Sequence, residues 1–285
     1  MQEPRHQGTL VTALKPYVMA IITGQVQFTG SLGNISAYRM RGVDKMVLRR
    51  KGGPTRKDIH TKPQFENTRR NNQEWKASIM ASRDVQHALH DIRLTGDYNY
   101  SGALNALCKR IQAGDTVSDW GKRNILFSKE GPQLEGFSLN RYNLFDQVVR
   151  QHLHFSVDRS AGTALVAVPA LQAGNNLVNP HNKPVYRIVI SMVPLADIIY
   201  TEDKGYVYAR ANNTPMFRSK HTATGWFTVY QGSPAAELQL ATDDWDNDPA
   251  CALLLCAGIE FGTPVSGNQN AAVKYAGAGK ILRVV

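Results

Sequence analysis

Ile35-Ser36-Ala37-Tyr38-Arg39-Met40-Arg41-Gly42-Val43-Asp44-Lys45-Met46-Val47-Leu48-Arg49-Arg50-Lys51 decides how the first part of this chain folds. Arg41-Gly42-Val43-Asp44 is turn chemistry, and the residues on either side alternate in polarity, so 35–40 and 45–51 read as two antiparallel strands. Alternation assigns Tyr38, Met40, Met46 and Leu48 to one face and Arg39, Arg41, Lys45, Arg49 and Lys51 to the other, with Val47 the exception. Like charges set opposite one another cost stability unless acids or a ligand intervene. Upstream, Gly30-Ser31-Leu32-Gly33-Asn34 supplies another tight turn; downstream, Gly52-Gly53-Pro54 ends the strand.

The same region carries the chain's charge. Residues 39–70 hold eleven of the 33 lysines and arginines: Arg39, Arg41, Lys45, Arg49, Arg50, Lys51, Arg56, Lys57, Lys62, Arg69 and Arg70. Against Asp44, Asp58 and Glu66 they leave +8 of the chain's net +10, and the remainder is close to neutral. A concentrated positive surface calls for an anionic partner.

Working outward, Thr61-Lys62-Pro63-Gln64 has a capping threonine, a proline in the first turn and glutamine at the capping-box position, which predicts a helix start. Phe65, Trp75, Ile79, Val85, Leu89 and Ile92 recur near helical spacing and predict one helix or two in succession ending before Gly96, with Arg69 and Arg70 off that stripe. Leu104, Leu107 and Ile111 predict a shorter helix over 103–112. From about residue 150 the texture changes to short runs rich in β-formers between Gly, Pro and Asn. Strands are expected at 152–157, 163–168, 185–193, 206–209, 226–230, 237–241, 250–261 and 271–285. This is the pattern of an antiparallel β-sandwich or barrel. The fold class expected is therefore α+β, with a disordered extension over 1–18, a basic hairpin and helical module over 19–150 and a β-rich domain over 151–285.

Composition narrows the function. With 42% apolar and 20% charged residues the chain is globular, and no apolar run is long enough for a transmembrane helix, so no membrane partner is expected. Residues 1–18 do not read as a secretory signal. Three cysteines, an odd number in a long chain, point to free thiols in a reducing compartment, hence the cytoplasm.

The chemical motifs are weak. Asp244, Asp246 and Asp248 have the first three spacings of a calcium loop, but Pro249 stands where glycine is required and Leu255 where glutamate is, so a polar turn is the better reading. His87 with His90, and His152 with His154, each lack a third ligand for a metal. Cys251 and Cys256 read as small core residues. Gly277-Ala278-Gly279-Lys280 lacks the first glycine and the hydroxyl of a phosphate loop. No catalytic, metal or cofactor set emerges.

Residues 24–34, the basic strand through Arg41-Gly42, and the start of the helix over 63–70 resemble the N-terminal module of an uncharacterised family common in Bacteroidota. That family joins a Gly-x-x-Gly-Asn turn and a Lys/Arg strand to a β-rich C-terminal half. Phe65-Glu66-Asn67-Thr68-Arg69-Arg70 departs from its Gln-rich helix. The resemblance implies architecture and no activity.

The expected function is that of a non-enzymatic structural or interaction protein. Its anion- or partner-binding residues are Arg39, Arg41, Lys45, Arg49, Arg50, Lys51, Arg69 and Arg70, which dock onto an acidic protein surface or another copy of the chain. The first alternative is a sequence-tolerant DNA- or RNA-binding ribbon, although only Tyr38 and Phe65 sit among the charges as stacking groups. A carbohydrate-binding sandwich using Trp226, Tyr230 and Trp245 is the second.

Overall fold

The structure, a computed structural model, describes residues 19–22, 28–40, 45–202, 208–243, 245–267 and 269–285. The chain divides into two compact units, 1–65 and 66–285. The extension expected over 1–18 lies outside the described residues.

In the first unit, β1 (Met19–Ile22), β2 (Gly30–Leu32), β3 (Ile35–Arg39) and β4 (Met46–Arg50) form an antiparallel sheet in the order β1-β4-β3-β2. The expected hairpin is thus the centre of a four-stranded sheet. Leu32 pairs with Ile35 across the two-residue turn Gly33-Asn34, and Gly33 takes φ +57°, which glycine adopts without steric cost. A short helix α1 (Arg56–Thr61) follows. Its start is closed by a capping box in which the Thr55 hydroxyl accepts from the Asp58 N–H and the Asp58 carboxylate accepts from the Thr55 N–H.

The second unit opens with α2 (Glu66–Ala88), preceded by a 3-10 turn over Pro63–Phe65, and continues with α3 (Ser101–Ala113), α4 (Phe127–Glu130) and α5 (Phe145–Val148). Ten strands follow: β5 (His154–Asp158), β6 (Thr163–Val168), β7 (Val185–Ala196), β8 (Ile198–Tyr200), β9 (Tyr208–Arg210), β10 (Lys220–Ala223), β11 (Phe227–Thr228), β12 (Ala236–Ala241), β13 (Cys251–Pro264) and β14 (Asn270–Val284). The larger sheet runs β10-β7-β13-β14 with β11 also on β7, a smaller one runs β12-β6-β5, and β8 pairs with β9.

Alternation along the long strands builds two cores, one on each face of the larger sheet. Tyr186, Ile188, Ile190 and Met192 of β7, with Leu255, Ala257, Ile259 and Phe261 of β13, meet Val166, Val168, Leu238 and Leu240 of the smaller sheet. On the other face Val189, Val193, Ala252, Leu254 and Cys256 meet Ala81, Val85 and Ala88 of α2 and Leu104 and Ile111 of α3. Burial of each large apolar side chain is worth about 1.5–3 kcal/mol. Cover on both faces explains why 251–257 reads as an unbroken apolar run.

The β-rich segment is therefore a sandwich of two open sheets, not a closed barrel, with helices covering the outer face of the larger one. The division expected near residue 150 falls inside this unit, because α2 and α3 share a core with β7 and β13. The helical stripe is also rotated from expectation. Trp75 is 46% and Ile79 37% exposed, while the small residues Ala77, Ser78, Ala81 and Ser82 are buried, letting the helix backbone approach its neighbours closely.

Candidate functional site

The cations of the N-terminal sheet stand on both of its faces. Arg39 is directly opposite Met46, Tyr38 opposite Val47, Ala37 opposite Leu48, Ser36 opposite Arg49 and Ile35 opposite Arg50. Residues opposite one another share a face, so Arg39 and Arg50 lie with Ala37, Met46 and Leu48. Arg49 lies with Tyr38 and Val47. This corrects the single basic face expected from the sequence. Every pair joins an odd-numbered residue to an even-numbered one, so the even residues of β3 and β4 fall on opposite faces.

Arg39, Lys45, Arg49, Arg50 and Lys51 are all exposed, and Arg41 lies outside the described residues. The Lys51 N–H donates to the Asn34 carbonyl at 2.5 Å, fixing the end of β4 beside the β2–β3 turn. Among the described residues from 19 to 53 there is no carboxylate, and Lys45, Arg49, Arg50 and Lys51 form no ion pair. The nearest carboxylate along the described chain, Asp58, is bound to Lys62 at 2.7 Å. Hydrogen bonds from Lys62 and then Thr55 hold its pKa down at about 2. Three apolar side chains of the sheet, Ala37, Met46 and Val47, are buried, whereas Ile21, Leu32 and Ile35 are exposed.

Arg69 and Arg70 belong to the second unit. They line an open cleft of about 470 Å³ with Glu66, Gln73, Trp120 and Lys122. Arg70 pairs with Glu66 and lies 5.8 Å from the centre of the Trp120 ring. Lys122 pairs with Glu202 at 3.1 Å and lies over Tyr200.

Beneath the cleft sits Glu74, fully buried on α2. It accepts from Arg123 Nε and Nη2 at 2.7 Å each, from the Gly121 N–H at 2.9 Å and from Lys109. Burial raises the Glu74 pKa, but these bonds outweigh it and hold the group at about 2. The Tyr208 hydroxyl donates to the Gly121 carbonyl at 3.2 Å, so the loop bearing Trp120 is held from both sides. Gly121 has φ +98°, and a Cβ there would meet Arg70 Cβ and Cγ at 2.9 Å. Sequence reading missed Glu74, Trp120 and Lys122. An acid on the buried side of α2 is the one local sign, and its partner Arg123 lies 49 residues away.

The remaining motifs resolve into packing. Asp243 pairs with Lys220, and the Asp248 carboxylate accepts from the Ala250 N–H at 2.8 Å and Asn212 Nδ2 at 3.0 Å; Asp244 lies outside the described residues. His87 and His90 have ring centres 6.5 Å apart. Gly277 and Gly279 lie within β14, where Asn140 bonds to the Gly277 carbonyl and the Gly279 N–H. Burial pushes the Cys108 and Cys251 thiols up to about 12, which keeps them protonated. The Trp226 ring lies 4.8 Å from the Arg187 guanidinium and the Trp245 ring 5.5 Å from that of Arg159, while Tyr230 is exposed.

No protein-family model matches the chain, and no curated protein or solved structure matches it either.

Proposed function

We propose that this is a non-enzymatic interaction protein whose N-terminal sheet docks onto an acidic surface of a partner protein. One observation carries the reading: Lys45, Arg49, Arg50 and Lys51 are exposed on a sheet with no carboxylate among its described residues. Such a surface repels itself until an anionic partner covers it. The sheet also exposes Leu32 and Ile35, which lie opposite one another, so a partner finds apolar area beside the charge. The strongly displaced carboxylates of the second unit, Glu74 and Asp115, are occupied in holding loops, which supports a structural role for them. Buried, protonated thiols at Cys108 and Cys251 suit a reducing compartment such as the cytoplasm. Among the described residues no helix is long and apolar enough to cross a membrane.

Fluorescence anisotropy with labelled polyglutamate and a labelled DNA duplex, run in parallel over a salt series, tests the proposal. Tighter binding of polyglutamate supports it. Tighter binding of the duplex, weakening steeply with salt, replaces it with nucleic-acid binding.

A further inference from the structure

The smaller sheet, β12-β6-β5, ends on an uncovered strand. β5 pairs with β6 along one side, and the backbone groups on its other side have no hydrogen-bond partner among the described residues. Four of its five residues are exposed and the fifth is half-buried, whereas β6 alternates buried and open. Edge strands of soluble proteins are commonly guarded by lysine, proline or a bulge. His154-Phe155-Ser156-Val157-Asp158 has no lysine or proline, and its register with β6 is unbroken.

The chemistry of β5 is symmetric about Ser156. If two copies pair antiparallel about a twofold axis there, His154 lies opposite Asp158 of the partner subunit and Phe155 opposite Val157 of the partner subunit, each pair occurring twice. Phe155 and Val157 face the core, since they lie opposite the buried Val166 and Ala164 of β6. Phe155 is nevertheless 38% exposed, because the sheet ends beside it. A second β5 covers that ring and carries the core across the junction. On the outer face, Asp158 Oδ1 is held by the Ser160 hydroxyl at 2.6 Å and the Ala161 N–H at 3.1 Å, fixing the carboxylate in place. Aromatic pairs with β-branched residues are favourable across strands, a histidine ring N–H opposite a carboxylate can donate to it, and a twofold contact closes with two copies.

We propose that the protein forms a twofold dimer by antiparallel pairing of β5 with β5 of a second copy, joining two three-stranded sheets into one of six. The edge belongs to the second unit, and the proposal stands independently of the function proposed above. So short a junction makes a weak dimer.

Sedimentation equilibrium of the full chain over a concentration series tests it. A monomer–dimer equilibrium is expected. His154→Asp sets like charges opposite one another twice per dimer and weakens the equilibrium about tenfold or more. The double variant His154→Asp/Asp158→His exchanges the partners and restores it, and Phe155→Lys abolishes it. A chain monomeric up to millimolar concentration overturns the proposal, as does a dimer indifferent to His154→Asp. A dimer lost instead on Arg49→Glu/Arg50→Glu places self-association on the basic sheet and overturns it equally.

Discussion

In the N-terminal sheet Lys45, Arg49, Arg50 and Lys51 stand in solvent with no carboxylate beside them among the described residues. In residues 66–285, Lys109 and Arg123 converge on the buried Glu74, and Arg210 grips Asp84 through two 2.7 Å bonds. The second arrangement spends its charge on structure. Each buried carboxylate ties helix α2 to distant segments, and removing one partner strands a charge in a low-dielectric interior. The first arrangement leaves its cations exposed and forms no ion pair among the described residues. Positive charge therefore stands in two settings in one chain, and substitutions separate them.

The largest effect is expected at Glu74. Glu74→Ala leaves Lys109 and Arg123 without their shared carboxylate and frees the Gly121 N–H, costing about 3–5 kcal/mol of stability, read from the urea midpoint. A smaller loss tests whether the Trp120 loop needs its anchor. Gly121→Ala forces φ +98° on an alanine and a 2.9 Å approach to Arg70, and should cost about 1–3 kcal/mol; the Trp120 environment, followed by fluorescence with the other tryptophans replaced, should shift with it.

Acid sharpens the same contrast. The Glu74 pKa is depressed from an ordinary 4.5 to about 2, so the unfolded chain binds the proton more readily. The stability Glu74 supplies is fully present above pH 4.5 and is lost as pH falls from there towards about 2. Asp115 adds to the loss below 3.8: burial raises its pKa, but the N–H groups of Asn124, Ser118 and Val117 hold it at about 2. Denaturation midpoints measured over this range should fall with acid in the native chain and fall less in Glu74→Gln. The smallest effect on folding belongs to Arg49→Glu/Arg50→Glu. It should leave the midpoint within about 0.5 kcal/mol of native, since neither side chain holds an ion pair among the described residues.

Much of this architecture was legible in the sequence, because alternation and turn residues are local. All eight runs expected as strands after residue 150 contain strands, and α3 lies within a residue or two of its expected ends. The unforeseen strands β8 and β10 are short, and Lys220-His221-Thr222-Ala223 takes its pairing from β7 more than from its own pattern. What failed depends on relations between segments. The faces of the basic hairpin follow from its register, which the odd and even positions of one strand do not reveal. The buried side of α2 follows from close packing of Ala77, Ser78 and Ala81, whereas the larger Trp75 and Ile79 had suggested another stripe. The candidate residues stand out by charge alone, and the structure divides the described ones between two units, with Arg69 and Arg70 beside Trp120 and Arg39, Lys45, Arg49, Arg50 and Lys51 in the N-terminal unit.

That the exposed cations Lys45, Arg49, Arg50 and Lys51 form a docking surface is tested most directly by comparing two variants of equal charge change. Arg49→Glu/Arg50→Glu alters the sheet; Arg110→Glu/Lys129→Glu alters exposed cations of the second unit. Polyglutamate binding, measured by anisotropy at fixed salt, should be lost in the first and kept in the second. Equal losses in both would show that overall charge, and not the N-terminal sheet, attracts the partner.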